Sequence, residues 1–415
     1  MQRHIFAVFA TTLFAFSANA FGQSAGPVFQ PTFTVVHSFQ GPPDGANPAA
    51  NVIFDEAGNM YGTTIQGGVR AGICSGGCGT VFKIDTQGNE TVLYSFNGNT
   101  ADGNWPYGGL LRDPEGNFYG TTYVGGTSYP ACNSQGCGTV FTLRVTGEEQ
   151  VVYNFTGLAD GWGPYASLTL GTDGRVYSTT HLGGLYDNWG TVFAVDKHGV
   201  ETVIHDFNGY DNDGGSPWGG LVRDSAGNMY GMTFAGDNFY CEPGFQLGCG
   251  VVYKVTETGD ETVLYPFTGQ ADGNWGAGSL AIDGAGNLYG ANQAGSAQWG
   301  TVFKVDPRGN LTVLHSFSGG VGGANAWGGV IRDAAGNLYG TTLDGGGTGC
   351  PGGLGCGTVW LLQPSGKFTI LHSFTGGPDG WGPSGTLALD SAGNLYGTAA
   401  NGGAYDDGVI FKISR

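Results

Sequence analysis

One phrase recurs along the whole chain and limits what it can become. GNLYGTT at 336–342 returns as GNMYGTT (58–64), GNFYGTT (116–122), GRVYSTT (174–180), GNMYGMT (227–233), GNLYGAN (286–292) and GNLYGTA (393–399). The first and seventh copies begin at Gly58 and Gly393, which sets a period of about 56 residues. A unit of this size cannot bury its own apolar faces, so neighbouring units must supply the core. At 415 residues two domains would fit, but a repeat running end to end predicts one body.

Each unit carries four short runs that alternate apolar and polar residues, or hold β-branched and aromatic residues, between turn signals. Strand A ends on an aspartate (Gly109–Asp113, Gly329–Asp333) and runs into a D-x-x-G turn. Strand B is the LYGTT run, strand C the GTVFKV run (79–84, 300–305, 408–413) and strand D the TVLHSF run (91–96, 312–317). No helical period appears outside the N-terminal segment. Twenty-eight strands are too many for one open sheet. We therefore expect an all-β fold, a seven-bladed β-propeller of four-stranded blades. The last unit lacks a strand D, and a spare copy, TVVHSF, stands at 34–39. It is expected to close the ring beside 408–413, whereas an open β-solenoid would need no such strand. The expected units are 41–96, 97–155, 156–207, 208–267, 268–317, 318–374 and 375–415 plus 34–39, so that 34–415 is a single propeller.

Residues 1–20 read as a signal peptide: Arg3, an apolar Ile5–Phe16 segment, and Ala18-Asn19-Ala20 as the cleavage motif. An uncleaved anchor is the competing reading. Residues 21–33 form a lead into the repeats, and no second apolar segment follows, so the mature chain is expected to be exported without a transmembrane segment (periplasm, cell surface or outside). The net charge of −18 opposes nucleic acid and anionic membranes as partners. The 82 glycines occupy fixed repeat positions, as turns require, rather than forming linkers.

The eight cysteines fall into four local pairs, all in B–C loops: Cys74/Cys78, Cys132/Cys137, Cys241/Cys249 and Cys350/Cys356. Even count, export and repeated location predict a disulfide in each pair. Zinc is the alternative, but the spacings differ and no histidine accompanies them. Trp189, Trp299 and Asp407 stand at the second-cysteine position in the other three units.

The D–A loops repeat an Asp-Gly theme (Asp44, Asp102, Asp160, Asp213, Asp272, Asp379) beside tryptophans (Trp105, Trp162, Trp218, Trp275, Trp327, Trp381). Strand direction places these loops on the same ring face as the B–C loops. Carboxylates accept hydroxyl hydrogen bonds and indoles stack on sugar C–H faces, so these twelve residues are candidate glycan ligands. The other reading is packing, with Trp between blades and Asp capping the turn, and it is the commoner use of a repeated aromatic. Asp211-Asn212-Asp213-Gly214 opens like a calcium loop but lacks the downstream glutamate, which leaves Asp211 and Asp213 as weak candidates for calcium. No other cofactor is expected. His37, His205, His315 and His372 share a strand D position that is Tyr elsewhere, which reads as structural; His181 and His198 have no visible partner. No nucleophile elbow, H-E-x-x-H or P-loop occurs, and no catalytic residue is assigned.

The unit LxxDxxGNLYGTTxxGG…GTVFKVDxxGxxTVLHSF resembles the GloVer tandem repeat of exported bacterial choice-of-anchor proteins, over essentially the whole mature chain. More loosely, it is similar to propellers of the NHL and gluconolactonase kind. The resemblance implies export and often surface attachment, with no activity to carry over. Only Ser414 and Arg415 follow the last strand, so a C-terminal anchor is not expected. The expected function is non-enzymatic binding of an extracellular polysaccharide or envelope component through the D–A/B–C face. A carbohydrate-active or lactonase-like enzyme with a channel metal, and a purely structural envelope protein, are the alternatives. Oligomeric state is left open by the sequence.

Overall fold

The computed structural model describes residues 31–415, apart from 71–73, 99–101, 128–129, 133–134, 187, 211–212, 237–240, 242–246, 296–298 and 348. The expected signal peptide and Asp211 lie outside the described residues.

Seven antiparallel blades follow in chain order, each with its strands hydrogen-bonded in the sequence A, B, C, D from the axis outward. In blade one these are Ile53–Phe54, Met60–Thr64, Thr80–Ile84 and Glu90–Ser95. No α-helix occurs among the described residues; two 3-10 turns, Pro130–Cys132 and Gly320–Gly322, are present. The ring is closed as the displaced strand requires. Thr32–Ser38 pairs with Val409–Ser414, Thr32 opposite Ser414 and Ser38 opposite Val409. The closing strand begins two residues earlier than 34, and Phe39 lies beyond it, still donating its N–H to the Gly408 carbonyl at 3.0 Å.

Strand A is shorter than the sequence suggested, two ladder residues in every blade. The small residues before it leave the ladder because they turn to the axis and bond to the next blade. Gly109 N–H donates to Ser167 Oγ at 2.8 Å, Gly220 N–H to Ser279 Oγ at 3.0 Å and Gly329 N–H to Thr386 Oγ1 at 3.1 Å. A Cβ at Gly278 would meet the Gly328 backbone at 2.6 Å, and one at Gly328 the Gly385 carbonyl at 2.8 Å. Glycine here is a condition of convergence.

The repeated phrase can be read residue by residue. Asp55 caps its own turn, accepting from Asn59 N–H at 2.8 Å, Asn59 Nδ2 at 2.7 Å and Tyr61 OH at 2.9 Å. The same Tyr–Asp bond recurs in four further blades, at Tyr230, Tyr289, Tyr339 and Tyr396, and in blade three Tyr177 bonds Asp173 of the turn instead, Gly171 standing in the aspartate's place. The following glycine makes room for a strand C ring: a Cβ at Gly62 would lie 2.6 Å from Phe82 and one at Gly397 2.5 Å from Phe411. The first threonine reaches the next blade at the axis, Thr63 Oγ1 to the Gly108 carbonyl at 3.0 Å and Thr398 Oγ1 to the Ala50 carbonyl at 3.0 Å. The second threonine bonds strand C, Thr64 Oγ1 to Thr80 Oγ1 at 2.8 Å.

Between blades, the phenylalanine that ends strand D meets the strand C aromatic of the next blade. The seven pairs are Phe39–Phe82, Phe96–Phe141, Phe155–Phe193, Phe207–Tyr253, Phe267–Phe303, Phe317–Trp360 and Phe374–Phe411, edge-to-face with centroids 4.9–6.0 Å apart. All fourteen rings are buried. Strand C is buried on both faces, Lys83 alone reaching partly out of Thr80–Ile84.

All four expected disulfides are formed: Cys74–Cys78, Cys132–Cys137, Cys241–Cys249 and Cys350–Cys356. The second cysteine of each pair, Cys78, Cys137, Cys249 and Cys356, is fully buried, and no cysteine is free. With every sulfur bonded to another and the bridges packed into the inter-blade cores, they neither hold zinc nor meet a ligand at the surface. Their role is bracing. Each sulfur pair sits against a left-handed glycine after strand D: Gly98, Gly157, Gly269 and Gly376. Trp189, Trp299 and Asp407 fill the same seat against Gly209, Gly319 and Gly41. The bridge and the indole are thus alternative plugs for one recurring space.

Two outcomes follow. Phe411→Ala removes a fully buried ring that also supports the closing strand through Phe33; it should cost about 3–5 kcal/mol in chemical denaturation. The paired change Cys132→Ser/Cys137→Ser opens a loop of sequence separation 5 and should cost about 2 kcal/mol, read as a lower melting temperature; reduction of the parent, which opens all four bridges, should lower it further.

Candidate functional site

Every D–A loop is held to the preceding B–C loop by a backbone bond at one position. Asn47, Trp105, Gly163, Ser216, Trp275, Asn325 and Gly382 donate their N–H to the carbonyl at the second-cysteine position, at 2.6–3.1 Å. In the bridged blades the acceptors are Cys78, Cys137, Cys249 and Cys356, so each disulfide steadies the loop that follows it. The donors take left-handed backbone angles, including the non-glycines Trp105 (φ 56°) and Trp275 (φ 58°). The two loop types therefore share one face of the ring, as strand direction implied. Short ladders such as Gly103–Asn104 with Val124–Gly125 stiffen it.

This frame sorts the six loop tryptophans into three structural positions. Trp105 and Trp275 are the left-handed residues. Trp162 and Trp381 stand one position earlier and pack into inter-blade cores, beside Cys132 and Cys137 and beside Phe374 and Phe411 respectively. Trp218 and Trp327 stand two positions later, immediately before the small axial residues, and line the axial opening. Tyr107 and Tyr165 occupy that third position in blades two and three; Ala49, Ala277 and Ser384 occupy it in blades one, five and seven.

The result is an aromatic cluster on one side of the axial mouth. Tyr107 and Tyr165 stack at 4.5 Å, Tyr165 meets Trp218 edge-on at 4.9 Å, and Trp218 meets Trp327 at 5.6 Å. Phe234 links Trp218 to Trp275, stacking on the latter at 5.7 Å. The opening encloses about 60 Å³, and no charged side chain or histidine lines it among the described residues. Larger clefts lie elsewhere: one of about 370 Å³ beside Tyr289 and Arg332 sits between blades at the A–B turn end, and one of about 550 Å³ lies beside His37, Asp44 and Glu90. Behind the mouth, His181 lies against Trp218 at 3.9 Å. Burial pushes its pKa down to about 4, so the ring is neutral at ordinary pH. Its Nδ1 is buried without a partner among the described residues, as is Trp218 Nε1. Burial also drives the Tyr165 hydroxyl well above its usual range. The mouth can therefore stack a flat apolar surface and offer a few neutral hydrogen-bonding groups.

The six aspartates point away from the mouth into their own loops. Asp102 accepts from Asn97 N–H (2.8 Å), Gly103 N–H (2.7 Å) and Tyr94 OH (3.2 Å). Asp160 and Asp272 accept from Tyr153 and Tyr265, Asp213 and Asp379 bond His205 and His372, and Asp44 lies 3.4 Å from His37. This is why the strand D position exchanges His for Tyr in most blades: either one can face the loop carboxylate, while His315, whose loop has no aspartate, stacks on Phe368. Asp213 also meets Glu261, and the ligand atoms of His205, Asp213 and Glu261 lie within 4.8 Å of one another. Both Asp213 oxygens already accept backbone N–H groups, from Gly214 and Asn208.

Sequence reasoning missed Tyr107, Tyr165 and the place of His181. The first two had a signal, since each directly precedes a pair of small residues, Gly108-Gly109 and Ala166-Ser167. His181 had none, because its contact with Trp218 crosses from one blade to the next.

The chain matches the Gloeobacter/Verrucomicrobia repeat over residues 10–132, 129–298 and 240–415. No curated protein matches it. In fold it is similar to virginiamycin B lyase from Staphylococcus aureus, at 12% identity over 92% of this chain and 100% of that one, TM-score 0.57. Puromycin hydrolase is similar at 15% identity over 85% of this chain and 50% of that one, TM-score 0.52. The extracellular domain of a one-component system from B. thetaiotaomicron is similar at 11% identity over 90% and 39%, TM-score 0.51. At these identities the likeness is one of fold alone. With its repeat matched from residue 10 to the last strand, the chain belongs to the Gloeobacter/Verrucomicrobia repeat family.

Proposed function

We propose that this protein is an exported, non-enzymatic binding propeller that takes an extracellular glycan at the axial mouth of its D–A/B–C face. The observation that carries the reading is the one-sided cluster of Tyr107, Tyr165, Trp218 and Trp327 around an opening without charge. Packing needs would recur in all seven blades, but this cluster does not: blades one, five and seven put Ala or Ser in its place. Stacked rings with a few neutral polar groups suit the C–H face and hydroxyls of an uncharged sugar. Four disulfides support an oxidising compartment, and no described helix is long and apolar enough to cross a membrane.

A second reading, a hydrolytic or lyase-type enzyme, is favoured by His181, a neutral single-copy imidazole with a free ring nitrogen behind the mouth. The solved structures of similar fold include a lyase and a hydrolase. A channel metal fits poorly, since the lining supplies no carboxylate or imidazole among the described residues, and no step is derived through one.

Tryptophan fluorescence titrated with neutral and acidic polysaccharides separates these readings. Saturable quenching by a neutral polymer is expected, lost at least tenfold in affinity in Trp218→Ala and Trp327→Ala and retained in Trp105→Phe. No response in folded protein would end the glycan reading. Bond cleavage that falls about a hundredfold or more in His181→Ala would establish the enzymatic one.

A further inference from the structure

The residue that opens strand D faces the end of strand D in the preceding blade, and its identity divides the ring in two. In blades one to four it is glutamate: Glu90, Glu149, Glu201 and Glu261. In blades five and six it is Leu311 and Phe368, and in blade seven the residue at the same register, opposite Ile413, is Phe33. The apolar seams are filled by contact, Phe368 stacking on His315 and Phe33 on His372, each at 3.7 Å. Four consecutive seams thus hold a carboxyl where the other three hold hydrocarbon.

What these carboxyls face is consistent. Glu90 meets His37 and Asp44, Glu149 meets Tyr94 and Asp102, Glu201 meets Asp160, and Glu261 meets His205, Asp213 and the buried Tyr253. No lysine or arginine faces any of them in these interactions. In all four, Oε1 is buried without a hydrogen-bond partner among the described residues. An unpaired buried carboxylate oxygen is costly, and a second carboxylate beside it makes it more so. A protonated carboxyl removes the charge and supplies an O–H donor.

We propose that these four seams are proton-binding sites: each glutamic acid is held protonated against the loop aspartate of the neighbouring blade, and its ionisation loosens that part of the ring. Burial first, then the neighbouring aspartate, pushes Glu90, Glu149, Glu201 and Glu261 each up to about 7. A carboxyl raised on folding contributes stability that is complete below its unfolded value of about 4.3 and is lost as pH rises through its folded value. The D-x-x-G aspartates work in the opposite direction. Burial raises Asp55, Asp224, Asp283 and Asp390, but their amide and hydroxyl donors outweigh it and hold them low; their contribution fades below about pH 4. The ring should therefore be most stable near pH 5. The loosened seams join the blades that carry Tyr107, Tyr165 and Trp218, and they include the closing seam at His37.

The test is thermal and guanidinium unfolding of the mature chain from pH 5 to pH 9, for the parent and for E90Q/E149Q/E201Q/E261Q, whose amides mimic the protonated acids. The parent's midpoint should fall from pH 5 to about pH 7.5 and level off above it. The variant should be flat over that range and more stable than the parent at its upper end. Should the fourfold variant fail to fold, single E149Q and E201Q should each remove part of the slope, and Leu311→Glu should steepen it. A flat parent, or variants that keep the parent's slope, would overturn the proposal. So would calcium that stabilises the parent but not the Gln variants at pH 8.5, because the paired carboxyls would then be a cation site.

Discussion

The edge-to-face meeting of a strand D phenylalanine with the strand C aromatic of the next blade is the interaction on which this molecule depends. Each small sheet has one neighbour on either side and no core of its own, so the seven ring pairs are the points at which blades become one body. Much of the repeat serves this contact. The glycine in the middle of LYGTT clears the volume the ring needs. The tyrosine before it is anchored to the D-x-x-G aspartate, which fixes the turn that aims strand B. The disulfides and their substitutes Trp189, Trp299 and Asp407 then brace the loop just after the phenylalanine. Repetition in this chain is the repetition of one packing problem and one solution.

Function has to be sought where the repetition fails, and it fails in two places. At the axial mouth, four blades contribute large rings and three contribute Ala or Ser, so the opening has a stacking side and a bare side. At the outer seams, four consecutive glutamates give way to Leu311, Phe368 and Phe33 on the remaining three. Blades two, three and four take part in both departures. Any coupling between the rim and the mouth would run through them, over the length of a single blade.

The sequence carried the blade count, the closing strand and the disulfides because each depends on order along the chain, and order is what a repeat displays. The depth at which Cys78, Cys249 and Cys356 are buried was not legible, since a loop cysteine looks the same whether its bridge faces solvent or a neighbouring blade. The length of strand A was misjudged, since Gly108-Gly109 and its equivalents look like strand residues until the axis draws them toward the next blade. The tryptophans show the limit more sharply. Trp105, Trp162 and Trp218 all lie within a few residues of an Asp-Gly and read as one theme. One residue of offset decides between a backbone anchor, a core wedge and a channel wall. Tyr107 and Tyr165 share the channel position with Trp218 and Trp327, yet a search for one residue type passes over them. His181 and the seam glutamates were beyond reach for another reason: the partners that give them meaning belong to adjacent blades, about 40 to 55 residues away.

The closing strand has a consequence for how such a chain comes into being. Thr32 pairs with Ser414, about 380 residues along the chain. A polypeptide that crosses a membrane or leaves a ribosome presents its early residues first. Thr32–Ser38 must therefore wait, extended and with an unpaired edge, while every later blade emerges. Loop-closure entropy makes this the slowest contact to earn. During that interval the incomplete ring exposes one free strand at each end, the two surfaces most prone to pair with another copy. Completion of the circle is then a timing problem for the cell as much as a packing problem for the protein.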